Sequence, residues 1–403
     1  MIIENHAHLT YCTNIHPGET WEEIFNNLKV HALEVKKQIT PKGAFGIGLR
    51  LSKKSATVLL QDNNLEIFKN WLQDNNLYVF TMNGFPYGEF HNTVIKDQVH
   101  TPDWTTKERL DYTKDLMNIL AFLLPEGIEG SVSTSPLSYK HWFKTEKEIH
   151  QVTQKACNAL IEVVLQLIDI KNKTGKLLHL DLEPEPDGFL ENTKEVINFY
   201  ENYLFTEGIS ILKTKLQCSK SEAKSHILDH IQLCYDVCHF ALAYESPEFV
   251  ISSLENAGIK IGKVQISAAI KCKKSSSISI ETQQTCLRQF DEPTYLHQSV
   301  VKLNNGQFVH FPDLAEGIAL MNNVDFQELR THFHVPIFIN NFQVLESTQD
   351  EIITALNLWK KEHYSTHLEV ETYTWSILPD HLQKDITSSI VRELKWVEHQ
   401  LSN

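Results

Sequence analysis

Eight short apolar runs separated by long amphipathic segments constrain this chain more than any other feature of its sequence. The runs are HLTYCTN, FGIGLRLS, LYVFTMNGF, GSVSTS, LLHLDLEP, IQLCYDVCHF, KVQISAA and HLEVETYT. Between them lies helical spacing, as at Trp21, Ile24, Phe25, Leu28 and Ala32, where apolar residues recur on one face. Several helices open with a Ser or Thr followed three residues later by Glu, at Thr20/Glu23, Thr105/Glu108, Thr145/Glu148, Ser219/Glu222 and Thr348/Glu351. Such pairs satisfy free amides at a helix start. Strands alternating with helices require a parallel sheet, and right-handed crossovers carry eight such units into a (β/α)8, or TIM, barrel. A doubly wound open sheet is disfavoured because no glycine-rich strand-to-helix turn is present; the glycines of FGIGL lie inside a strand run.

The chain has 403 residues, and barrels of this kind often run long as one unit. The expectation is therefore one barrel over residues 1–403. Its seventh crossover, from Ala269 to His367, is far longer than the usual handful of residues, which places an insertion at about 271–345. KCKKSSSISIETQQ reads as polar and mobile, and YLHQSVVKLNNGQFVHF reads as a small β-hairpin with an Asn-Asn-Gly turn. Because the insertion follows a strand, it belongs on the carboxyl-end face. A lid is one expectation and a decorative or dimer-forming flap the other.

A formal charge of −14 opposes phosphate-backbone binding, which depends on clustered Lys and Arg, so no nucleic-acid partner is expected. The seven cysteines are odd in number and form no CxxC pair, consistent with a reducing compartment. Without a basic leader or a run of about 18 apolar residues, no membrane insertion is expected and the protein reads as cytoplasmic.

Catalytic groups of such barrels sit at the carboxyl ends of the strands. Here those ends offer Asn14, Arg50, Asn83, Ser133, Glu183, Asp236, Gln265 and the pair Glu369 and Glu371. LLHLDLEPEPDGFL is telling: alternation sends His179, Asp181, Glu183 and Glu185 to one face, and the prolines stop the ladder. Carboxylates from the fifth, sixth and eighth strands around one mouth repel unless a cation or shared protons hold them. A divalent metal ion is the economical solution. Asp236 and His239 stand three apart in YDVCHF, while His332 and His334 share a face in HFHVPIF. Of the adjacent pair, Glu371 is preferred over Glu369. Cys234 and Cys238 read as small buried hydrophobes.

At LEP (182–184) and DVCH (236–239) the chain resembles the xylose-isomerase-like barrels. More closely, HLTYCTNIHPGETW, FGIGLRLS, YVFTMNGFPYG, DLEPEPDG, CYDVCHFA, GKVQISAA, FHVPIF and HLEVETYTW resemble the metabolite traffic protein EboE family. That resemblance implies a role in secondary-metabolite precursor biosynthesis or trafficking, with partners encoded in the same bacterial gene cluster. The epimerase branch of the superfamily takes metal ligands Glu, Asp, His and Glu from strands five to eight. By position these are Glu183, Asp236 and Glu371 or Glu369; Gln265 stands where the His is expected, and His334 swinging in from the insertion is the expected substitute. The implied cofactor is Mn, Zn, Mg or Co. The implied activity is isomerisation or epimerisation of a small polyhydroxylated metabolite. Glu183 or Glu371 then moves a proton at carbon and His239 steadies a hydroxyl. From their strand ends Asn14, Arg50 and Asn83 are expected substrate contacts, and Tyr295 and His297 are so if the insertion closes as a lid, with Arg50 or Lys140 for an anionic tail. The alternative is a non-catalytic carrier that uses the same mouth.

Overall fold

The computed structural model describes residues 1–88, 96–292, 296–375 and 385–402. All eight runs form strands: β1 (His8–Tyr11), β2 (Phe45–Arg50), β3 (Leu77–Asn83), β4 (Gly130–Thr134), β5 (Leu178–Leu182), β6 (Ile231–Asp236) and β7 (Ile261–Ile266). The eighth barrel strand, His367–Val370, comes after the insertion. These strands pair in parallel, the last lying between β1 and β7. A parallel bridge from Cys12 to Gly48 joins β1 to β2 and nearly closes the barrel. Outward-facing residues such as Leu180 and Leu368 are fully buried under the surrounding helices.

The barrel interior is polar. His179 Nδ1 lies 2.6 Å from Asp181 Oδ1, and Lys263 Nζ lies 2.6 Å from Glu369 Oε2, both partners without solvent exposure. Glycine makes room for these ionic layers. A Cβ on Gly48 would stand 1.7 Å from Glu369 Oε1, and one on Gly262 would stand 2.2 Å from Asp181 Oδ1. The glycines of FGIGL thus serve packing rather than a phosphate loop.

The insertion is more than a hairpin. It contains β8 (Ala268–Lys273), β9 (Ser299–Leu303), β10 (Phe308–Phe311), β11 (Phe326–Val335), β12 (Asn341–Phe342) and β13 (Leu345–Ser347), with the last barrel strand following as β14. The six form one sheet in the order β10-β9-β11-β8-β13-β12. The Asn-Asn-Gly turn joins β9 to β10, antiparallel as expected. The polar KCKKSSSISIETQQ stretch, expected to be mobile, instead gives the end of β8 and opens the helix Ile280–Leu287. Pairing with β11 orders β8, with Lys273 opposite Glu328. Among the described residues, no helix is long and apolar enough to cross a membrane.

Candidate metal centre and cleft

Three strand ends bring carboxylates together. Glu183 follows β5, Asp236 ends β6 and Glu371 follows β14; one oxygen from each lies within 4.8 Å of the others. Each is held differently. Asn14 and Asn83 both donate their side-chain amides to Glu371 Oε1, at 2.8 and 2.9 Å. Asp236 Oδ1 accepts the Ser267 hydroxyl at 2.7 Å and the His239 amide at 3.1 Å, which makes Asp236 the N-cap of the helix Val237–Leu242. Asp236 Oδ2 and Glu183 Oε2 are buried with no hydrogen-bond partner among the described residues. Buried oxygens of this kind are costly unless something occupies the space they face.

Burial and the neighbouring Asp236 push Glu183 up to about 8. Burial and the adjacent acids Glu183 and Asp236 also raise Glu371 well above the usual carboxylate range. Burial works the same way on Asp236, but His239, His334 and the Ser267 hydroxyl outweigh it and hold Asp236 low. The trio therefore divides into one ionised acid and two that retain protons until a cation replaces them.

Beside the acids stand three imidazoles. His239 Nε2 is 3.1 Å from His332 Nε2, which is 3.3 Å from His334 Nε2. Each ring's other nitrogen faces an oxygen: Pro184 O at 2.8 Å for His239, Gln298 Oε1 at 2.9 Å for His332, and Glu371 O at 2.9 Å for His334. Gln298 donates its amide nitrogen to Pro186 O at 3.1 Å, so its oxygen is the atom turned to His332. Those oxygens accept, so each Nδ1 carries the proton and each Nε2 presents a lone pair. Burial lowers all three rings, His334 to about 4, and keeps them neutral. Three lone pairs facing one another repel, and a cation resolves the conflict; the oxygens behind the rings are the outer partners that metal-bound histidines use. Asp236, His239 and His334 form one such group of ligand atoms, and Cys238, His332 and His334 another.

A cleft of about 580 Å³, counted with its opening to solvent, lies over this centre. Glu183, Glu185, Glu371, Asn14, Asn83 and His239 line it, with His332, His334 and Gln298 reaching in from the insertion. The sequence reading left Glu185 out of the site residues and, of His332 and His334, either of which it weighed as an imidazole from the insertion, kept His334 alone; the ExE spacing of EPEP and the HxH spacing of HFH put each omitted residue on the same face as a chosen neighbour. It also gave Cys238 no role.

Several expected site residues lie elsewhere. Arg50 is spent on Glu19 Oε1 at 2.9 Å and on the Gly18 and Gly88 carbonyls, outside the cleft. Lys140 is held by Glu191 and Glu195. Glu369 sits one layer deeper than Glu371, neutralised by Lys263. Gln265 is fully buried between Asp236 and Glu369 in register, does not line the cleft, and has no partner for its amide among the described residues. His297 supports rather than contacts: its Nδ1 meets His332 O and its Nε2 meets Glu292 Oε1, both at 2.9 Å. Tyr295 lies outside the described residues.

These features define a (β/α)8, or TIM, barrel with an acid and imidazole centre at its mouth. A xylose isomerase-like TIM barrel protein from Mycobacterium smegmatis, solved in complex with magnesium, superposes with a TM-score of 0.51 at 11% identity, covering 100% of this chain and 99% of that one. The IOLI protein with a bound zinc atom gives 0.44 at 13% identity, covering 98% of each chain. The probable 3-DHS dehydratase AsbF of Bacillus anthracis gives 0.43 at 11% identity, covering 97% of this chain and 98% of that one. No family model and no curated protein matches the sequence.

Proposed function

We propose that this chain is a divalent-metal-dependent enzyme of isomerase or epimerase type, acting on a small polyhydroxylated or sugar-like metabolite. The observation that carries the reading is the convergence of Glu183, Asp236 and Glu371 beside three imidazoles whose unprotonated nitrogens face one another. The orphaned oxygens of Glu183 and Asp236 suit a cation. Asp236 belongs to two of the three groups of ligand atoms found among the described residues, joining a carboxylate position suited to Mg²⁺ or Mn²⁺ to an imidazole position suited to Zn²⁺ or Co²⁺. When bound, such an ion polarises substrate oxygens and acidifies the hydrogen on the adjoining carbon.

The chain's own groups do the remainder. Glu183, which follows β5 and faces the cleft, is the group placed to take and return a proton at carbon. Asn14 and Asn83 fix the Glu371 carboxylate. Glu185, buried and raised well above the usual range by burial and by Glu183, holds a proton it can share with a substrate oxygen. The resemblance to the EboE family supports a setting in secondary-metabolite precursor biosynthesis or trafficking, with partners from the same gene cluster. The test is exchange of carbon-bound hydrogen with solvent deuterium across a panel of sugars and related metabolites. Exchange that requires metal and is lost in Glu183→Gln is expected. No exchange by the metal-loaded protein counts against the enzyme. Binding without exchange favours a carrier, the second reading, which the apolar residues Phe85 and Leu296 in the cleft support.

A further inference from the structure

The two ends of the cleft differ in chemistry. Its deep end is fully buried and polar, formed by Glu183, Glu371 and the three histidines. Toward solvent the character reverses: Val99, Leu296 and Tyr373 are half-buried, and Phe85 and Pro86 join them. The Tyr373 ring is held against His334, centroids 4.7 Å apart, so its apolar body is fixed where the two ends meet.

Among the described residues, cations are scarce along this path. Among the described lining residues only Lys96 is positively charged, and Asp313 of the insertion holds its ammonium at 2.9 Å. Arg50 is committed to Glu19. Arg109, without solvent exposure, gives its guanidinium to the carbonyls of Gly84, Phe85 and Pro102. At the deep end a divalent ion is already outweighed by the three carboxylates that would hold it. A phosphate entering the cleft is repelled by this excess negative charge. An apolar group at the outer end instead gains by leaving water.

We propose that the cleft selects an uncharged, amphiphilic substrate. Adjacent oxygens enter the acid and imidazole end, a ring or hydrocarbon portion packs against Phe85, Val99, Leu296 and Tyr373, and phosphorylated metabolites are refused. The proposal rests on the reading of this cleft as the substrate site and names the class of molecule it takes.

Calorimetric titration of the full-length, zinc-loaded protein with fructose, 6-O-benzyl fructose and fructose 6-phosphate tests it. The benzyl ether is expected to bind at least tenfold tighter than fructose, and the phosphate at least tenfold weaker. Leu296→Arg, which places a cation at the outer end, should raise phosphate-ester affinity at least tenfold and remove the benzyl preference. Tighter binding of the phosphate by the unaltered protein would overturn the proposal. If that phosphate also exchanged hydrogen with deuterium oxide, the isomerase reading would stand while the proposed selectivity fell. No binding by any of the three would overturn both.

Discussion

His239 and His332 meet Nε2 to Nε2 at 3.1 Å, although one ring follows β6 of the barrel and the other lies on β11 of the insertion. Neither nitrogen has a proton to offer the other, because the opposite nitrogen of each ring spends it on an oxygen. The contact is unfavourable as it stands. It becomes favourable when both lone pairs are directed at one ion, which would then tie the insertion to the barrel.

Gln298→Leu should expose this dependence. It removes the acceptor that fixes the His332 tautomer and leaves all three rings in place. Loss of such outer partners typically lowers metal affinity about 10–100-fold. Competition against a chromogenic chelator should show that drop for zinc, with little change in thermal unfolding of the chelator-treated protein.

The acids predict a pH effect with a definite sign. Glu183 keeps its proton to about 8 in the folded, ion-free chain but only to the ordinary glutamate value of 4.5 when unfolded. Between these values the unfolded chain binds fewer protons, so stability falls as pH rises, by at most about 1.4 kcal/mol per pH unit for one group. His334, lowered to about 4, contributes the opposite slope below 6.5, so the window to examine is pH 6.5 to 8. Glu393, also raised to about 8 by burial, adds a slope that an ion does not remove. Melting temperatures of chelator-treated protein should fall across this window more steeply than those of zinc-loaded protein. Parallel curves would contradict the assignment.

The Lys263–Glu369 pair should behave as a buried ionic unit. Lys263→Met strands a carboxylate in the barrel and should cost about 3–5 kcal/mol in urea unfolding, whereas Lys263→Met with Glu369→Leu should recover most of it. Equal losses in the single and double variants would show that packing, not charge, sets the cost.

The barrel was legible because strands buried on both faces read as apolar runs, and all eight formed where their runs lie. Helix starts were read less well where a competing bond exists. Thr20, Thr145 and Ser219 make the expected capping boxes. Thr105 instead gives its hydroxyl to Asp103, leaving Thr106 as the cap, and Thr348 accepts the Ala269 amide. Within the site, alternation put Glu369 and Glu371 on one face but carries no information about depth. Lys263, two residues before Gln265, is what claims the deeper one. The imidazole trio was hidden for a different reason: it depends on how β11 registers against β8 and β9, a tertiary pairing with a bulge between Thr331 and Val335.

The most direct measurement of the central claim is the metal content of protein purified without chelators, followed by calorimetric titration with Mn²⁺ and Zn²⁺ of the stripped wild type and of Asp236→Asn. Asp236 takes part in two of the three groups of ligand atoms, with Glu183 and Glu371 and with His239 and His334, so one substitution challenges both the carboxylate position and the mixed carboxylate and imidazole position. The account predicts tight binding of at least one divalent ion per chain in the wild type and a loss of at least 100-fold in the variant, with the fold retained by circular dichroism. Equal affinity in the two proteins, or a wild type that binds neither ion, would contradict it and leave a proton-sharing acid cluster at the barrel mouth.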